Sequence, residues 1–206
     1  MAFTDHLTWR HAVRSFDPAR PAPTEKVEHI MNAIRMAPTS YGLQPFRVYV
    51  VTNQTTKLQL FESAAKQAQV RDCSHLLVFT ARTDLLTVTE EYLNELSLGD
   101  STKRLGLVPL ETAMRAFMSG LGILGAKKVW ASKQTYLALG FALAAAAEHE
   151  VASSPMEGFE AKGVRKILKM PRHEHPVVLL ALGEERVGAE VRPKVRKSRE
   201  ILFRQV

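Results

Sequence analysis

The sequence of 206 residues contains a single cysteine, Cys73. One thiol excludes an internal disulfide and is too few for a cysteine-rich zinc site, which fits a reducing compartment. No uncharged apolar run reaches the roughly 18–20 residues that a membrane span needs. The first six residues lack the basic and apolar regions of a signal peptide. We therefore expect a soluble cytoplasmic protein without a membrane partner.

Sequences typical of nucleotide hydrolysis and of metal binding are also missing. There is no Walker A sequence, and Gly120–Gly125 matches the dinucleotide fingerprint G-x-G-x-x-G only in its letters. The residues before it have a helical pattern rather than that of a strand, so we predict a break between helices instead of a Rossmann site. His173–His175 offers too few ligands for a metal, and we predict a surface turn there, before Pro176.

Positive charge is in excess: the net charge is +7, and much of the surplus lies in the last third of the chain. Such a balance favours an anionic partner, either nucleic acid or a phosphorylated cofactor. Lys197 and Arg199 form a basic pair without nearby aromatic residues, which weakens a single-strand nucleic-acid interpretation. A non-enzymatic nucleic-acid-binding protein stays open as an alternative.

The length and the apolar fraction of 46% predict one domain over residues 1–206. Apolar runs predict strands at 46–51, 74–80 and 176–183, the last of them central because it is apolar throughout. Residues 85–147 have a mainly helical pattern in three segments. The order of elements predicts an α+β sandwich in which helices outnumber strands.

Three further segments carry specific expectations. Residues 135–147 are apolar on nearly every side of a helix, so this helix needs a core position or a subunit interface. Residues 153–159 are predicted to form a loop, and residues 201–203 have a strand-like pattern in a basic tail.

Arg10 and Arg14 place two guanidinium groups four residues apart without an acid between them. We predict a short helix that includes both residues, and positions i and i+4 of a helix share a face. Two rigid donor groups side by side suit a phosphate. The alternative is a solvated basic face.

Five stretches in sequence together resemble the FMN-dependent nitroreductase family of the oxygen-insensitive type, across nearly the whole chain. They are Arg10–Phe16, Pro38–Phe46, Ser74–Phe79, Pro155–Phe159 and Lys197–Arg199. The resemblance implies a three-layer sandwich in which helices flank a central mixed or antiparallel sheet. It also implies a homodimer with two FMN molecules at the subunit interface.

By matching positions, the resemblance implies the following cofactor-binding residues: Arg10, His11, Ala12, Arg14, Pro38, Thr39, Ser40, Gly42, Gln67, Gln69, Pro155, Met156, Glu157, Gly158, Lys197 and Arg199. Of these, Arg10, Lys197 and Arg199 would hold the phosphate. Arg14 would reach the pyrimidine edge of the flavin, and residues 38–40 would come from the other subunit. Glu157 would line the ring near N5, and no side chain would act as a catalytic acid, base or nucleophile.

The activity implied by the resemblance is ping-pong: NADH or NADPH reduces the flavin, and a nitroaromatic, a quinone or a similar flat oxidant takes two electrons. A reductase of the same fold that acts on an enone or a halogenated ring is the alternative within enzymes. Ala12 and Gly42 depart from the family pattern, where serine and asparagine respectively are common. Residues 85–125, which would shape the substrate pocket, match poorly.

Overall fold

The computed structural model describes residues 2–206. Its centre is a four-stranded antiparallel sheet with the strand order β1-β2-β4-β3. The strands are β1 Phe46–Val51, β2 His75–Arg82, β3 Ala152–Met156 and β4 Glu174–Gly183. The three predicted strands are confirmed, and β4 lies inside the sheet as its apolar sequence indicates.

Helices outnumber strands, as predicted. They are α1 Phe3–Trp9, α2 Thr24–Arg35, α3 Gln54–Leu60, α4 Ala68–Asp72, α5 Leu85–Ser97, α6 Ser101–Gly106, α7 Val108–Ile123, α8 Lys127–Glu148, α9 Ala161–Ile167 and α10 Arg199–Leu202. Residues 85–147 hold four helices rather than three. The helices are interrupted at the two predicted glycines. Gly99 has a φ of 73°, and Gly125 has a φ of 64°. Both angles favour glycine because it lacks a Cβ.

The rejection of a dinucleotide fingerprint is confirmed, because Gly120 and Gly122 lie within α7 and the residues before them are helical. The loop predicted at residues 153–159 is wrong in its first half, where Ser153–Met156 belong to β3. Serine and proline are typical of loops, but Pro155 is tolerated because β3 is the edge strand of the sheet, next to β4.

The core lies on both faces of the sheet, because alternate residues of a strand point to opposite sides. On β2, Val78 packs into an apolar cluster with Phe16, whereas Phe79 packs into a second cluster beside α2 and α8. Helices therefore cover both faces, and the predicted sandwich of helices around an antiparallel sheet is confirmed. A third cluster, which includes Leu93 and Met114, lies beneath α5 and α7.

The helix predicted to include both Arg10 and Arg14 is wrong, since α1 ends at Trp9. Ala12 instead bridges to Ser153, and the Val13 amide donates to the Ser153 carbonyl at 3.1 Å. Residues 10–13 are extended, because this conformation pairs the backbone with β3 and buries Val13, and the chain then bends at Arg14. Arg10 and Arg14 therefore do not share a helix face, although both line the cavity described below.

The surface turn predicted at His173–His175 is confirmed only at His173, which forms a turn with Arg172, and is wrong from Glu174 onwards. Glu174 begins β4 and is fully buried, with its Oε1 2.8 Å from Arg47 Nη1 and its Oε2 accepting from the Tyr49 hydroxyl at 2.5 Å. A carboxylate can be buried at this strand end because a cation and a hydroxyl meet it there. Among residues 2–206, no group of three or more side chains is arranged to bind a metal.

Cys73 is confirmed as a small core residue just before β2. The strand-like pattern at residues 201–203 is wrong: α10 occupies most of it, in an exposed tail where no neighbouring strand offers a partner. Within residues 2–206, we find no helix with the length and apolar character required to cross a membrane.

Candidate functional site

A basic cavity of about 220 Å³ lies between the extended segment after α1 and the C-terminal tail. Its lining residues are Arg10, His11, Ala12, Arg14, Glu190, Arg192, Pro193, Lys194, Val195 and Arg196. Five of these carry a permanent positive charge, and Glu190 is the single acid among them. The cavity is therefore suited to an anion rather than to an apolar ligand.

Arg10 is the residue of the basic cavity whose hydrogen bonding is incomplete. Its Nη1 atom is buried and has no hydrogen-bond partner among the described residues. Burial lowers the pKa of Arg10, and the neighbouring Arg196 guanidinium lowers it further. A buried donor without a partner costs free energy that an anionic acceptor would recover. The donor set therefore fits a phosphate group.

Lys194 joins the tail to the N-terminal helix. Its Nζ donates to the backbone carbonyls of Leu7 at 2.9 Å and Thr8 at 2.5 Å, at the C-terminal end of α1. Burial lowers the pKa of Lys194, and the charges of Arg10 and Arg196 add to that effect. None of these three cations forms an ion pair within residues 2–206, and together they outnumber Glu190, the one acid in the cavity lining.

Two of the predicted phosphate residues lie elsewhere. Lys197 and Arg199 are exposed and do not line the cavity, and the Arg199 guanidinium lies 6.0 Å from the ring of Phe203. Lys194 and Arg196, which the sequence analysis did not name, line the cavity instead. The only available signal was the basic run itself, because which of its residues face Arg10 depends on the path of the tail across α1.

The extended segment is also held at His11, whose Nε2 lies 3.0 Å from Glu185 Oε1. Ala12 contributes only its small side chain to the cavity, where a serine would add a hydroxyl. The contact of His11 with the residues after β4 therefore keeps Arg10 and Arg14 directed towards the tail.

A second group of predicted residues meets just after β3, at the Glu157 turn, which we define as residues 157–159. Gln67 Nε2 donates to the Gly158 carbonyl at 2.8 Å, and Glu157 Oε1 accepts from the Tyr136 hydroxyl at 2.5 Å. Pro155 and Met156 belong to β3 and lead into this turn. Gln69 is buried within α4, so Gln67 is the glutamine that contacts the turn.

The third group, residues 38–42, lies between α2 and β1. The Ser40 amide donates to Gln134 Oε1 at 2.9 Å, and Thr39 Oγ1 accepts from the Gln44 amide at 2.9 Å. Gly42 has a φ of 73°, and a Cβ there would lie 3.2 Å from the Tyr92 ring. Pro38, Thr39, Ser40 and Gly42 do not line the basic cavity of the same chain.

Comparisons with known proteins agree with this architecture. The family model described as "Nitroreductase family" matches residues 7–184. A Staphylococcus haemolyticus protein named "Putative NAD(P)H nitroreductase" is 31% identical in an alignment of 204 positions, which covers 94% of this chain and 92% of that protein.

Two solved structures share the fold. A Bacillus subtilis structure described as "putative nitroreductase ydfN" has a TM-score of 0.88 at 20% identity and covers 99% of this chain and 98% of its own. An Exiguobacterium sibiricum structure, described as a "putative nitroreductase in complex with FMN", has a TM-score of 0.75 at 22% identity and covers 100% and 97% respectively. The family model matches most of the length of this chain, and the chain therefore belongs to the nitroreductase family.

Proposed function

We propose that the chain is an FMN-dependent NAD(P)H oxidoreductase. The observation that carries the proposal is the basic cavity, where the buried Nη1 atom of Arg10 lacks a hydrogen-bond partner among the described residues and two further cations lie nearby. Two relatives support the cofactors: the name of one includes NAD(P)H, and the structure of another holds FMN. When bound, FMN accepts a hydride from a reduced nicotinamide and passes two electrons to an oxidant, in a ping-pong sequence.

The residues of this chain would bind and orient that cofactor. Arg10, Lys194 and Arg196 would hold its phosphate through charge-assisted hydrogen bonds. Arg14, which lines the same cavity as Arg10, would place a cation at the pyrimidine edge, where negative charge develops on reduction. The Glu157 turn, held by Gln67, would line the other part of the ring.

We also propose a homodimer. Tyr136, Leu137 and Phe141 leave one side of α8 exposed and apolar, although the opposite side is buried against the sheet and α2. A second copy of the chain would cover this side, which the apolar character of the helix requires. Residues 38–42 would then complete the flavin site of the partner subunit.

For the oxidant we propose a nitroaromatic, a quinone or a similar flat electrophile, with NADH or NADPH as the reductant. An enone or a halogenated ring is the alternative substrate class. The four helices of residues 85–148 carry many exposed apolar side chains and would shape the space over the ring. Steady-state assays with one compound of each class, at matched reductant concentration, rank these substrates.

The first test is an absorbance spectrum of the purified protein. We expect the bands of oxidised flavin near about 370 and 450 nm, and their bleaching when NADH or NADPH is added without oxygen. A colourless protein that cannot be reconstituted with FMN would overturn the proposal. Absorbance at about 260 nm that is lost in high salt would then support nucleic-acid binding.

The second test removes one cation from the basic cavity. We expect Arg10→Ala to weaken FMN binding about tenfold to a hundredfold, because a charge-assisted hydrogen bond is lost. Arg35→Ala is the matched control, since it removes the same charge from the exposed end of α2, where the side chain bonds only Asn32. Equal FMN affinity in the two variants would exclude the assigned phosphate site.

A further inference from the structure

The Tyr136 side chain makes a contact that neither the sequence pattern nor the family match indicates. It extends from α8, and its hydroxyl donates to Glu157 Oε1 at 2.5 Å. Glu157 has no ion-pair partner within residues 2–206, so this hydroxyl is the group that holds its carboxylate. The Glu157 turn therefore depends on α8 for its orientation.

We propose that Tyr136 is a positioning residue, which holds the Glu157 turn in the orientation that the flavin ring requires. The inference rests on the proposed function, because it is the flavin that the turn would face. α8 is a firm support: Thr135 and Ala138, on either side of Tyr136 in the sequence, are both fully buried. A tyrosine side chain is also rigid, because only two torsion angles separate its ring from the backbone. The position of α8 therefore fixes the position of the Tyr136 hydroxyl.

The turn is held from two sides. Gln67 Nε2 bonds the Gly158 carbonyl at 2.8 Å from one side, and Tyr136 bonds the Glu157 carboxylate from the other. Within the turn, the Phe159 amide donates to the Glu157 carbonyl at 2.9 Å. Losing either outer contact would leave the turn free to move, since Glu157 and Gly158 are exposed.

The hydrogen bond between Tyr136 and Glu157 also affects how the Glu157 carboxylate would interact with the charge of a reduced flavin. A free carboxylate beside a ring that gains negative charge on reduction opposes that reduction by repulsion. Donation from the Tyr136 hydroxyl holds the carboxylate and disperses its charge. Burial raises the pKa of Tyr136 to about 12, and the bond with Glu157 contributes to the same shift, so the hydroxyl stays protonated at neutral pH and can donate.

The test is a double-variant cycle on the FMN-loaded protein, with FMN affinity and flavin reduction potential as the readouts. We expect Tyr136→Phe to weaken FMN binding about threefold to tenfold, as the loss of one partly exposed hydrogen bond predicts. We also expect it to shift the reduction potential to a lower value, because the carboxylate is no longer held. Glu157→Gln should raise the potential, since it removes the negative charge.

Coupling between the two residues is the decisive result. When Glu157 is already Gln, adding Tyr136→Phe should change the affinity by much less than it does in the native protein. Tyr49→Phe is the matched control, because it removes a tyrosine hydroxyl that also bonds a carboxylate, that of Glu174, and Tyr49 belongs neither to the basic cavity nor to the Glu157 turn. We expect its FMN affinity and reduction potential to equal those of the native protein.

The outcomes separate the two proposals. If the native protein binds FMN but Tyr136→Phe leaves affinity and potential unchanged, the positioning role is wrong and the proposed function stands. The positioning role would also be contradicted if the fold-change in FMN affinity of the double variant equalled the product of the two single fold-changes. That result would show that Tyr136 and Glu157 act independently. If the native protein does not bind FMN, the proposed function is wrong and this inference falls with it.

Discussion

Two regions of the molecule are stabilised in different ways. The sheet body, which we define as the four strands with α2 and α8, buries nearly all of β2 and β4 between two apolar clusters. The helical excursion, which we define as α5–α7, leaves Leu105 and Ile123 72% and 88% exposed. Apolar burial therefore dominates in the sheet body, whereas the helical excursion has only a small core on one side.

Ion pairs contribute more to the helical excursion. Arg104 and Arg115 each contact both Glu90 and Glu111, which links α5, α6 and α7. Such partly exposed pairs contribute little individually but can act together as a network. The helical excursion, which is predicted to shape the substrate pocket, therefore has fewer packing constraints on its sequence than the sheet body, which supports the proposed flavin site.

The largest expected effect comes from removing a phenylalanine from the sheet body. Phe79→Ala should lower the free energy of unfolding by about 3–5 kcal/mol, because the fully buried ring leaves a cavity behind. Phe117→Ala in the helical excursion is the matched change, and we expect at most about 1.5 kcal/mol, since its ring is 39% exposed. Urea unfolding monitored by circular dichroism measures both values. Equal losses would contradict the distinction between the regions.

A smaller loss is expected at the buried carboxylate of the sheet body. Glu174→Gln should cost about 2–3 kcal/mol in the free energy of unfolding, because the charge that faces Arg47 is lost and a buried hydrogen bond is weakened. Burial, together with Glu174, raises the pKa of Tyr49 to about 12, so the variant should also titrate Tyr49 at lower pH. Urea unfolding and tyrosinate absorbance give the two readouts. An unchanged unfolding midpoint would show that this ion pair is dispensable.

The smallest effect is expected in the helical excursion on acidification. Hydrogen bonds from Arg104 and Arg115 lower the pKa of Glu111 from 4.5 to about 2. A lowered folded-state pKa adds stability above pH 4.5, and that stability is lost as the pH falls from about 4.5 to 2. Thermal unfolding midpoints of the native protein and Glu111→Gln should therefore differ at pH 6 and converge towards about pH 2.

The outcome at Glu111 has its own control. Glu95→Gln removes an acid from α5 that forms no ion pair within residues 2–206, so its midpoint should follow that of the native protein at every pH. A gap between Glu111→Gln and the native protein that persists unchanged at low pH would exclude titration of Glu111 as its cause.

Elements with strong local patterns could be predicted from the sequence. β1, β2 and β4 are continuous apolar or β-branched runs, and the helix breaks at Gly99 and Gly125 follow from the glycines themselves. β3 could not be predicted, because Ser153 and Pro155 are typical of loops and only pairing with β4 makes them a strand. The segment directly after Trp9 has a helical pattern in the sequence but is extended, because its backbone pairs with Ser153 of β3.

In the candidate site, too, some features follow from the sequence and others depend on tertiary contacts. The sequence by itself determined that two arginines lie near the N-terminus without an acid between them, but not that both line one cavity. It also determined the excess of basic residues in the tail and the succession of stretches that identifies the family. Only the tertiary structure decided that Lys194 and Arg196, rather than Lys197 and Arg199, face Arg10, and that Tyr136 holds Glu157. The physical reason is that periodicity is a local property, whereas these contacts join segments that are distant in the chain and meet only after the sheet has assembled.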